Sequence, residues 1–317
     1  IVLYWNAAAY LPRCLESLAT QTEKDFKVIL LDNASPQPLD EDLVRQYPNV
    51  KVIASAKNLG FAAGNNLAAR SANGKYLVLL NSDAYPEPNW LAVLRAAAEG
   101  HPGFCFASQL IRADDPSMLD GEWNDYHFSG LAWRHGHGLP AATASPSRKL
   151  VASACAAAAA YPRAAFQTVG GFDEAYFAYM EDVDLDLRLR AAGFPCLYLP
   201  EARVLHVGSG STDARSDFVT FHGHRNLVWT FIKNMTGIWF WLLLPWHILV
   251  NFLYLAASCF LPQGAAIRKG KLAALRQLPR VWKQRQNVQA QRKASTWSIL
   301  RSFNWNPIAP LIKLTFK

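Results

Sequence analysis

The sequence predicts an α/β domain with a mostly parallel central sheet, followed by an α-helical C-terminal region. Short β-rich apolar runs alternate with helical stretches from residue 1 to about residue 208, the pattern of a layered α/β domain. A hydrophobic content of 51% over 317 residues is sufficient for a sizeable core. After residue 208 this alternation stops, and the chain becomes first apolar and then basic. We therefore expect two regions, residues 1–233 and 234–317.

Four apolar runs are predicted to form buried parallel strands, at residues 1–4, 27–31, 51–55 and 76–80. Helices are predicted between them at residues 8–21, 40–47 and 64–71. Polar residues follow each strand, and in open α/β sheets ligands bind at the carboxyl ends of the strands. We expect a site at this edge of the sheet. No GxGxxG sequence follows the first strand, which argues against a dehydrogenase-type dinucleotide site.

Charge is distributed unequally along the chain. All 24 carboxylates and 18 of the 32 Lys and Arg lie at or before Asp217, and 14 basic residues follow it. Residues 234–267 contain no Lys, Arg, Asp or Glu, whereas residues 268–317 contain twelve Lys and Arg. A helix needs about 20 apolar residues to cross a bilayer, and basic residues attract anionic head groups. This region is therefore expected to associate with an anionic membrane.

The five cysteines are odd in number and form no CxxC pair. Neither a disulfide framework nor a zinc site is therefore predicted. This cysteine usage favours a reducing compartment.

Several segments together resemble a known family. They are VILLDNAS (28–35), NLGFAAGNN (58–66), LLNSDAYPEPNWL (79–91), GGFDEAYFAYMEDVDLDLRLRAAGF (170–194) and PEARVLHVGSGS (200–211). In order and spacing they resemble glycosyltransferase family 2, particularly its bacterial rhamnosyltransferase-like branch, over residues 1–233. The resemblance implies a GT-A nucleotide-sugar-binding fold and an inverting, metal-dependent transfer from a nucleotide diphosphate sugar.

The resemblance assigns the polar strand ends to the sugar donor. Asp32 matches the position that binds uracil or thymine in the family, although an Asp after a strand also commonly caps a turn. Gly60 permits close approach of the backbone, and a Gly-rich turn without a ligand is the alternative for its segment. The predicted donor-binding residues are Asn6, Asp32, Asn33, Lys57, Asn58, Gly60, Asn65, Asn81 and Asp83.

Asn81-Ser82-Asp83 lies where the family has its DxD-like metal motif, with Asn in place of the first Asp. Asp83 is then the one strong oxygen ligand of the motif, and it would hold Mg²⁺ or Mn²⁺ together with the diphosphate. Related GT-A enzymes have a histidine at the position of His206, which is therefore predicted as a second metal ligand. The alternatives are a turn-capping Asp83 and a packed His206 without a ligand.

Glu181, Asp182 and Asp184 begin a predicted amphipathic helix in which Arg188 and Arg190 form the polar positions. The helix dipole stabilises carboxylates at such a position, which is the ordinary explanation of an acidic cluster there. An inverting transfer requires a base near the acceptor hydroxyl, and the resemblance maps the family's base onto Asp182. Glu181 would orient the acceptor or the base, and Asp184 would cap the helix or pair with Arg188.

The resemblance ends at FHGHRNLVW (221–229), which is similar to an HxxRN-type stretch near the diphosphate or acceptor. His222 and His224 would point to different faces of a helix, which argues against a joint metal site.

The expected function is transfer of a sugar to a lipid-linked or saccharide acceptor in cell-envelope polysaccharide synthesis. The donor dTDP-L-rhamnose rests on the resemblance alone. One alternative, a nucleic-acid-binding module, would use the basic tail but leaves residues 234–267 unexplained, so no nucleic-acid partner is expected. The other, a catalytically inactive membrane scaffold, is disfavoured by the presence of Asp32, Asp83, Asp182 and His206.

The charges also predict how the C-terminal region meets the membrane. A catalytic domain that uses a nucleotide sugar is expected at the cytoplasmic face of the inner membrane. A single crossing would then leave the basic tail outside, whereas positively charged flanks are retained on the cytoplasmic side. We therefore expect a re-entrant or in-plane helix pair bent near Pro245.

Overall fold

The computed structural model describes residues 1–208 and 216–310. The strands are β1 (Val2–Tyr4), β2 (Val28–Asp32), β3 (Val50–Ala54), β4 (Tyr76–Asn81), β5 (Ala84–Pro86), β6 (Cys105–Arg112), β7 (Leu119–Gly121), β8 (Asn124–Tyr126), β9 (Ala132–Arg134), β10 (Lys149–Val151), β11 (Ala158–Pro162) and β12 (Cys196–His206). The helices are α1 (Leu11–Ala19), α2 (Glu41–Arg45), α3 (Gly60–Arg70), α4 (Trp90–Gly100), α5 (Arg163–Thr168), α6 (Glu181–Ala191), α7 (Asp217–Asn234), α8 (Trp239–Ala257), α9 (Gly264–Arg276), α10 (Leu278–Ala290) and α11 (Thr296–Leu300).

The central sheet is mixed and mostly parallel, which confirms the predicted fold class. Its order is β10-β12-β6-β11-β4-β1-β2-β3, with β5 on β12 and β7 on β6. The parallel strands β1 to β4 form one half, and β11 runs antiparallel between β4 and β6. Beyond β11, β6 and β12 are parallel to each other. A separate hairpin, β8–β9, stands beside the sheet.

The register of the parallel half brings its polar strand ends to one edge. Tyr4 of β1 pairs with Asp32 of β2, and Leu3 pairs with Asn81 of β4. The four strands predicted from the apolar runs are present with their ends shifted by at most one residue. The third helix begins at Gly60, four residues before the predicted start, because the glycine adopts a φ of 73° that lets the chain enter the helix there.

The prediction that α6 is amphipathic is wrong. The helix is buried on all sides, and Arg188 and Arg190 are each only 7% exposed. Helices α7, α10 and α11 pack over the face that would otherwise meet water. The two arginines are accommodated by ion pairing and hydrogen bonding, since Arg188 pairs with Asp184 at 2.8 Å and Arg190 donates to the Val151 carbonyl.

The C-terminal helices α9 and α10 pack back onto α7. In the chain, α7 and α9 are joined by α8, which has a mean hydropathy of 1.6. Within the described ranges it is the one helix long and apolar enough to cross a membrane. The expected bend into a helix pair at Pro245 is absent, because α8 continues through this proline and the chain turns only after Ser258. The division at residue 233 remains a prediction.

Candidate active site

Asn33 organises the donor edge of the sheet rather than pointing freely into it. Its Nδ2 donates to Asn58 Oδ1 at 3.0 Å and to the Gly60 carbonyl at 3.3 Å, and its Oδ1 accepts from the Leu59 amide at 2.9 Å. Asn58 Oδ1 also accepts from the Gly60 amide at 2.8 Å. Asn33 is 1% exposed. The two asparagines therefore fix the turn that begins α3.

Asp32, Asn6 and Lys57 lie around the same edge. Asp32 Oδ1 accepts from the Ser35 amide at 3.0 Å, which is the turn-capping role of an Asp after a strand. Asp32 Oδ2 accepts no hydrogen bond from the part of the chain that is described, so it remains available to a ligand. Asn6 has a φ of 52°, and its amide donates to Ser35 Oγ at 2.9 Å. Lys57 is exposed beside them.

Gly60 and Asn65 are engaged within the protein. A Cβ on Gly60 would lie 2.6 Å from both Cγ and the carbonyl oxygen of Phe177, so only glycine fits this contact. The Ala62 amide donates to that carbonyl at 3.1 Å. Asn65 is 2% exposed, and its Nδ2 donates to the Phe61 carbonyl at 2.9 Å within α3. The structure thus connects the predicted donor segment to the loop before α6.

Asn81, Asp83 and His206 form the second group. Antiparallel pairing of β5 with β12 places His206 opposite Ala84, next to the end of β4. His206 Nε2 lies 3.3 Å from both Asp83 Oδ1 and Asn81 Nδ2. The structure therefore brings together the three residues that the sequence predicted for the metal motif.

Asp120 is a member of this group that the sequence did not reveal. It accepts a hydrogen bond from His206 Nδ1 at 2.7 Å and pairs with Arg134. Burial alone would lower the pKa of His206, but its hydrogen bonds to Asp120 and Asp83 and their charges raise it to about 9. Carboxylates that bind the remote nitrogen of an imidazole also fix its orientation towards a metal ion.

Asp182 lies in the first turn of α6 and contacts the β8–β9 hairpin through Asn124. Its Oδ2 accepts from Asn124 Nδ2 at 3.0 Å and from the Ala156 amide at 3.3 Å, and its Oδ1 accepts from the Val183 amide at 2.8 Å. Burial raises the pKa of Asp182, although these hydrogen bonds and the charge of Arg134 oppose the shift. The result is a partly exposed, fixed carboxylate of increased basicity.

The β8–β9 hairpin links the two groups. Asn124, which binds Asp182, pairs in register with Arg134, which binds Asp120. Burial by itself would lower the pKa of Arg134, but neighbouring groups that include Asp83 and Asp182 raise this pKa above its usual value. Gly121 makes room for this side chain, because a Cβ there would lie 2.2 Å from Arg134 Cγ. One guanidinium therefore lies within electrostatic range of both carboxylates.

The carboxylates of α6 are close together in sequence and would repel one another if all were ionised. This repulsion is relieved in different ways. Asp184 is fully buried and pairs with Arg188 at 2.8 Å and Lys233 at 3.0 Å, as the pairing alternative predicted. Burial, followed by the charge of Asp182, raises the pKa of Glu181 well above its usual value. Burial also raises the pKa of Asp186 to about 8. At neutral pH Asp186 is therefore mostly protonated, and burial favours the neutral form of Glu181 as well.

The loop before α6 is strained and held in place by Asn226. Phe177, Tyr179 and Met180 have φ values of 65°, 68° and 67°, which are costly for residues with side chains. Asn226 Nδ2 donates to the carbonyls of Tyr176, Ala178 and Tyr179 at 3.1, 2.9 and 2.7 Å. The HxxRN-type stretch therefore acts here on the loop that leads into Glu181.

Asn226→Ala should lower both stability and activity. It leaves buried carbonyls unpaired, at about 1–3 kcal/mol for each unsatisfied group, and releases the loop that positions Asp182. Asn226→Asp is the matched variant, because it keeps the size of the side chain but removes its N–H donors. We expect both variants to melt at lower temperature and turn over more slowly. A wild-type melting temperature and rate for Asn226→Asp would contradict this role.

A family comparison now decides the identity of this arrangement. Residues 1–169, more than half of the chain, match the family model described as glycosyl transferase family 2. The chain belongs to glycosyltransferase family 2. It is accordingly a nucleotide-sugar-dependent glycosyltransferase, and its α/β sheet with the strand-end site is of the GT-A type.

Curated relatives extend the similarity of this glycosyltransferase over most of its length. An N-acetylglucosaminyl-diphospho-decaprenol L-rhamnosyltransferase of Mycobacterium tuberculosis is 29% identical over 275 residues, which cover 78% of this chain and 88% of the relative. A pre-mycofactocin glycosyltransferase of the same organism is 31% identical over 63% of this chain and 40% of the relative. An O-antigen biosynthesis protein RfbC of Myxococcus xanthus is 28% identical over 68% of this chain and 17% of the relative.

Solved structures share the fold of this glycosyltransferase at low sequence identity. GalNAc-T7, solved with UDP, GalNAc and Mn²⁺, superposes with a TM-score of 0.66 at 17% identity, over 99% of this chain and 57% of that one. The mannosyltransferase PcManGT from Pyrobaculum calidifontis, solved with GDP-Man and Mn²⁺, has a TM-score of 0.53 at 17% identity, over 95% and 85% of the two chains. These similarities concern the fold.

Proposed function

We propose that this glycosyltransferase transfers a sugar with inversion from a nucleotide diphosphate donor to a lipid-linked saccharide acceptor. The observation that carries the proposal is the β8–β9 hairpin, which ties the carboxylate of Asp182 to the Asp83 group through paired residues. A base and a diphosphate-binding centre must be neighbours for an in-line displacement. The positive charge of Arg134 acts on the carboxylates of both Asp83 and Asp182.

In this proposal Asp182 accepts the proton of the acceptor hydroxyl as that oxygen forms a bond to the anomeric carbon of the donor. The bond between the anomeric carbon and the diphosphate oxygen breaks, and its electron pair leaves with the nucleotide diphosphate. The raised pKa of Asp182 makes it a better base than a surface aspartate. Glu181, whose pKa burial raises well above its usual value, is a positioning residue beside it.

The residues of the Asp83 group fit a divalent cation. Asp83 would supply a carboxylate oxygen, and His206 would supply an imidazole nitrogen once a cation displaces its proton; these two atoms lie 3.3 Å apart. The described ranges hold no cluster of three or more His, Cys, Asp or Glu with metal-site geometry, so a cation here would depend on the donor for its other ligands. Mg²⁺ commonly binds in this way, through one or two carboxylates and substrate phosphates. When bound, Mg²⁺ or Mn²⁺ would neutralise charge on the leaving diphosphate.

The residues at the donor edge support the binding of a nucleotide without specifying its base. Asp32 Oδ2 is available to a base N–H, and Asn6 and Lys57 lie beside it. Asn33, Asn58, Gly60 and Asn65 act in the proposal by shaping this edge, since the Asn33 amide, Asn58 Oδ1 and Asn65 Nδ2 make hydrogen bonds within the protein. The name of the mycobacterial relative supports dTDP-L-rhamnose as donor and a polyprenyl diphosphate saccharide as acceptor. A lipid-linked acceptor in turn supports a membrane-bound enzyme at the cytoplasmic face, in cell-envelope polysaccharide synthesis.

A donor screen tests this function. The purified protein would be heated with dTDP-L-rhamnose, UDP-N-acetylglucosamine or GDP-mannose, each with Mn²⁺ or with EDTA. A ligand at one hundred times its Kd stabilises a protein by about 2.7 kcal/mol, so the true donor should raise the melting temperature, and more so with Mn²⁺. Transfer to a polyprenyl diphosphate N-acetylglucosamine would then be measured. Stabilisation by no nucleotide sugar, with no transfer, would overturn the proposal.

A further inference from the structure

Helix α8 is apolar on all sides, but the domain covers only one of its faces. Phe240, Leu243 and His247 are buried against the protein, and Ser258 continues this face just beyond the helix. The opposite face exposes large apolar side chains between 45% and 63% of their surface, at Trp241, Leu242, Trp246, Ile248, Leu249, Phe252 and Leu253. Contiguous apolar patches of this kind mark sites of interaction with proteins or membranes.

Polar contacts hold the covered face along most of the helix. His247 Nδ1 lies 2.7 Å from the Ser129 carbonyl, and Asn251 binds Lys271 of α9. Near the helix end, Arg268 donates to the Ser258 carbonyl at 3.0 Å. The helix axis therefore runs along the protein surface. A helix that instead crossed the bilayer would have to carry these partners into it.

Such a crossing would be costly at Lys271. This side chain is 5% exposed and is bound to Asn251, which lies close to the midpoint of α8. A charged side chain at the centre of a bilayer costs about 2.5–3.5 kcal/mol or more. Helices α9 and α10, which pack on α7, would be drawn in as well. An orientation in the plane of the membrane avoids these costs and lets the exposed face enter the lipid.

The surroundings of the exposed face favour an anionic lipid surface over a protein partner. The face continues through aromatic contacts, between Trp241 and Trp282 at 6.4 Å and between Phe128 and Trp246 at 6.0 Å. On α9, exposed leucines alternate with exposed basic residues, at Arg268, Lys269, Leu272, Leu275 and Arg276. No acidic residue follows Asp217 in the sequence. Tryptophan with Lys and Arg around an apolar face is the composition of an interfacial helix.

The same face is connected to the catalytic carboxylate. Strand β8 carries Asn124, whose amide binds Asp182. Two residues after this strand, Phe128 contacts both Trp246 and Trp305, at centroid distances of 6.0 and 5.5 Å. The apolar face therefore begins four residues along the chain from the asparagine that binds the base. A lipid-linked acceptor anchored in the bilayer would approach Asp182 from this side.

We propose that α8 lies in the plane of an anionic membrane without crossing it, with its exposed face in the lipid and Asp182 turned towards the bilayer. Membrane docking is independent of the reaction, whereas the role of the docked orientation in presenting a lipid-linked acceptor rests on the proposed function.

Vesicle binding tests the docking face. The protein should bind vesicles of phosphatidylglycerol and phosphatidylcholine more tightly than vesicles of phosphatidylcholine alone. The double variant Ile248→Gln, Phe252→Gln should bind the anionic vesicles at least about tenfold more weakly, since each side chain gains free energy on entering lipid. The control Leu139→Gln, Leu150→Gln removes two apolar side chains that are each 48% exposed elsewhere, and should bind like the wild type. Equal binding by all three proteins would overturn the proposal. It would also be overturned if the α8 double variant lost a protein dimer but kept its vesicle binding.

The α8 variant also separates docking from catalysis. It should keep wild-type turnover with a short-chain, water-soluble acceptor and lose turnover with the polyprenyl acceptor in vesicles. Loss with both acceptors would overturn the proposed presentation role. If no acceptor is glycosylated by the wild type, the proposed function fails while the vesicle-binding result stands on its own.

A labelling experiment tests whether α8 crosses the membrane. Cys259 is the exposed thiol among the described cysteines, so it is first changed to Ser. Single cysteines are then introduced at the exposed positions Lys51, in the catalytic domain, and Gln286, in α10 beyond α8. Intact and permeabilised cells are treated with a membrane-impermeant maleimide. The two introduced cysteines should be labelled to the same extent as each other in each kind of cell. Labelling of one and protection of the other in intact cells would establish a crossing and overturn the in-plane orientation.

Discussion

Asp182→Asn is expected to lower turnover by about 10²–10⁴-fold, the usual contribution of a positioned base, while leaving donor binding nearly intact. The substituted amide has one oxygen, which can keep the Val183 hydrogen bond, whereas its NH2 group would then face the Asn124 donor. A melting temperature close to that of the wild type would show that the first turn of α6 keeps its conformation. What is lost is the site that accepts the acceptor proton. Single-turnover transfer and donor calorimetry measure the two effects separately.

Asp186→Asn is the matched control for this variant. Asp186 lies one turn further along α6 and is 2% exposed, and burial raises its pKa to about 8. It is therefore mostly neutral at pH 7, and the same substitution changes little charge. Its contact with the Ala154 amide can be made by an asparagine oxygen. Turnover close to that of the wild type is expected here, whereas equal loss in both variants would indicate damage to α6 rather than removal of a base.

The part of the fold that the sequence predicts well is the part governed by local rules. In the first four strands, continuous apolar runs end at polar residues, and their pairing in register places Asp32 and Asn81 at one edge. Asp182 and Asp184 could also be located, because the start of a helix favours carboxylates. These features depend on residues that are close in sequence.

The β7–β9 region depends on contacts that the sequence pattern does not reveal. Each of its strands is three residues long, too short for an alternating pattern to be recognised. Asp120 reaches His206, which is 86 residues away, and Asn124 reaches Asp182, which is 58 residues away. The available signal was a run of polar residues among aromatic ones at residues 120–137. That signal indicates a site but not its partners.

The same distinction explains the predicted donor residues whose side chains bond the backbone of a turn. Asn33 and Asn58 are polar residues at strand ends, and such residues either contact a ligand or satisfy the backbone of the turn. Here their amides satisfy the backbone at the start of α3. Sequence alone does not separate these two roles, since both require the same side chain at the same position. The hydrogen bonds that each side chain makes in the structure separate the two roles.

Asp83→Ala should act on donor binding as well as on turnover. Removing the carboxylate leaves His206 as the remaining protein ligand of the proposed cation, and it also removes a contact of 3.3 Å with that ring. A bound cation supplies several kcal/mol of stabilisation to a leaving diphosphate, and about 1.4 kcal/mol corresponds to a factor of ten in rate. We therefore expect turnover to fall by two orders of magnitude or more, together with loss of the Mn²⁺-dependent part of donor affinity.

Calorimetry with the nucleotide sugar, with and without Mn²⁺, distinguishes Asp83 from an ordinary turn residue. Asp42→Ala is the control, because the Asp42 side chain is 86% exposed and pairs with Arg45 at the surface of α2. That variant should bind donor and Mn²⁺ like the wild type. In Asp83→Ala, donor affinity should become the same in the presence and absence of Mn²⁺, whereas Asp182→Asn should retain the difference. Metal-dependent affinity that survives in Asp83→Ala would show that Asp83 only caps the turn between β4 and β5, and would place the cation elsewhere.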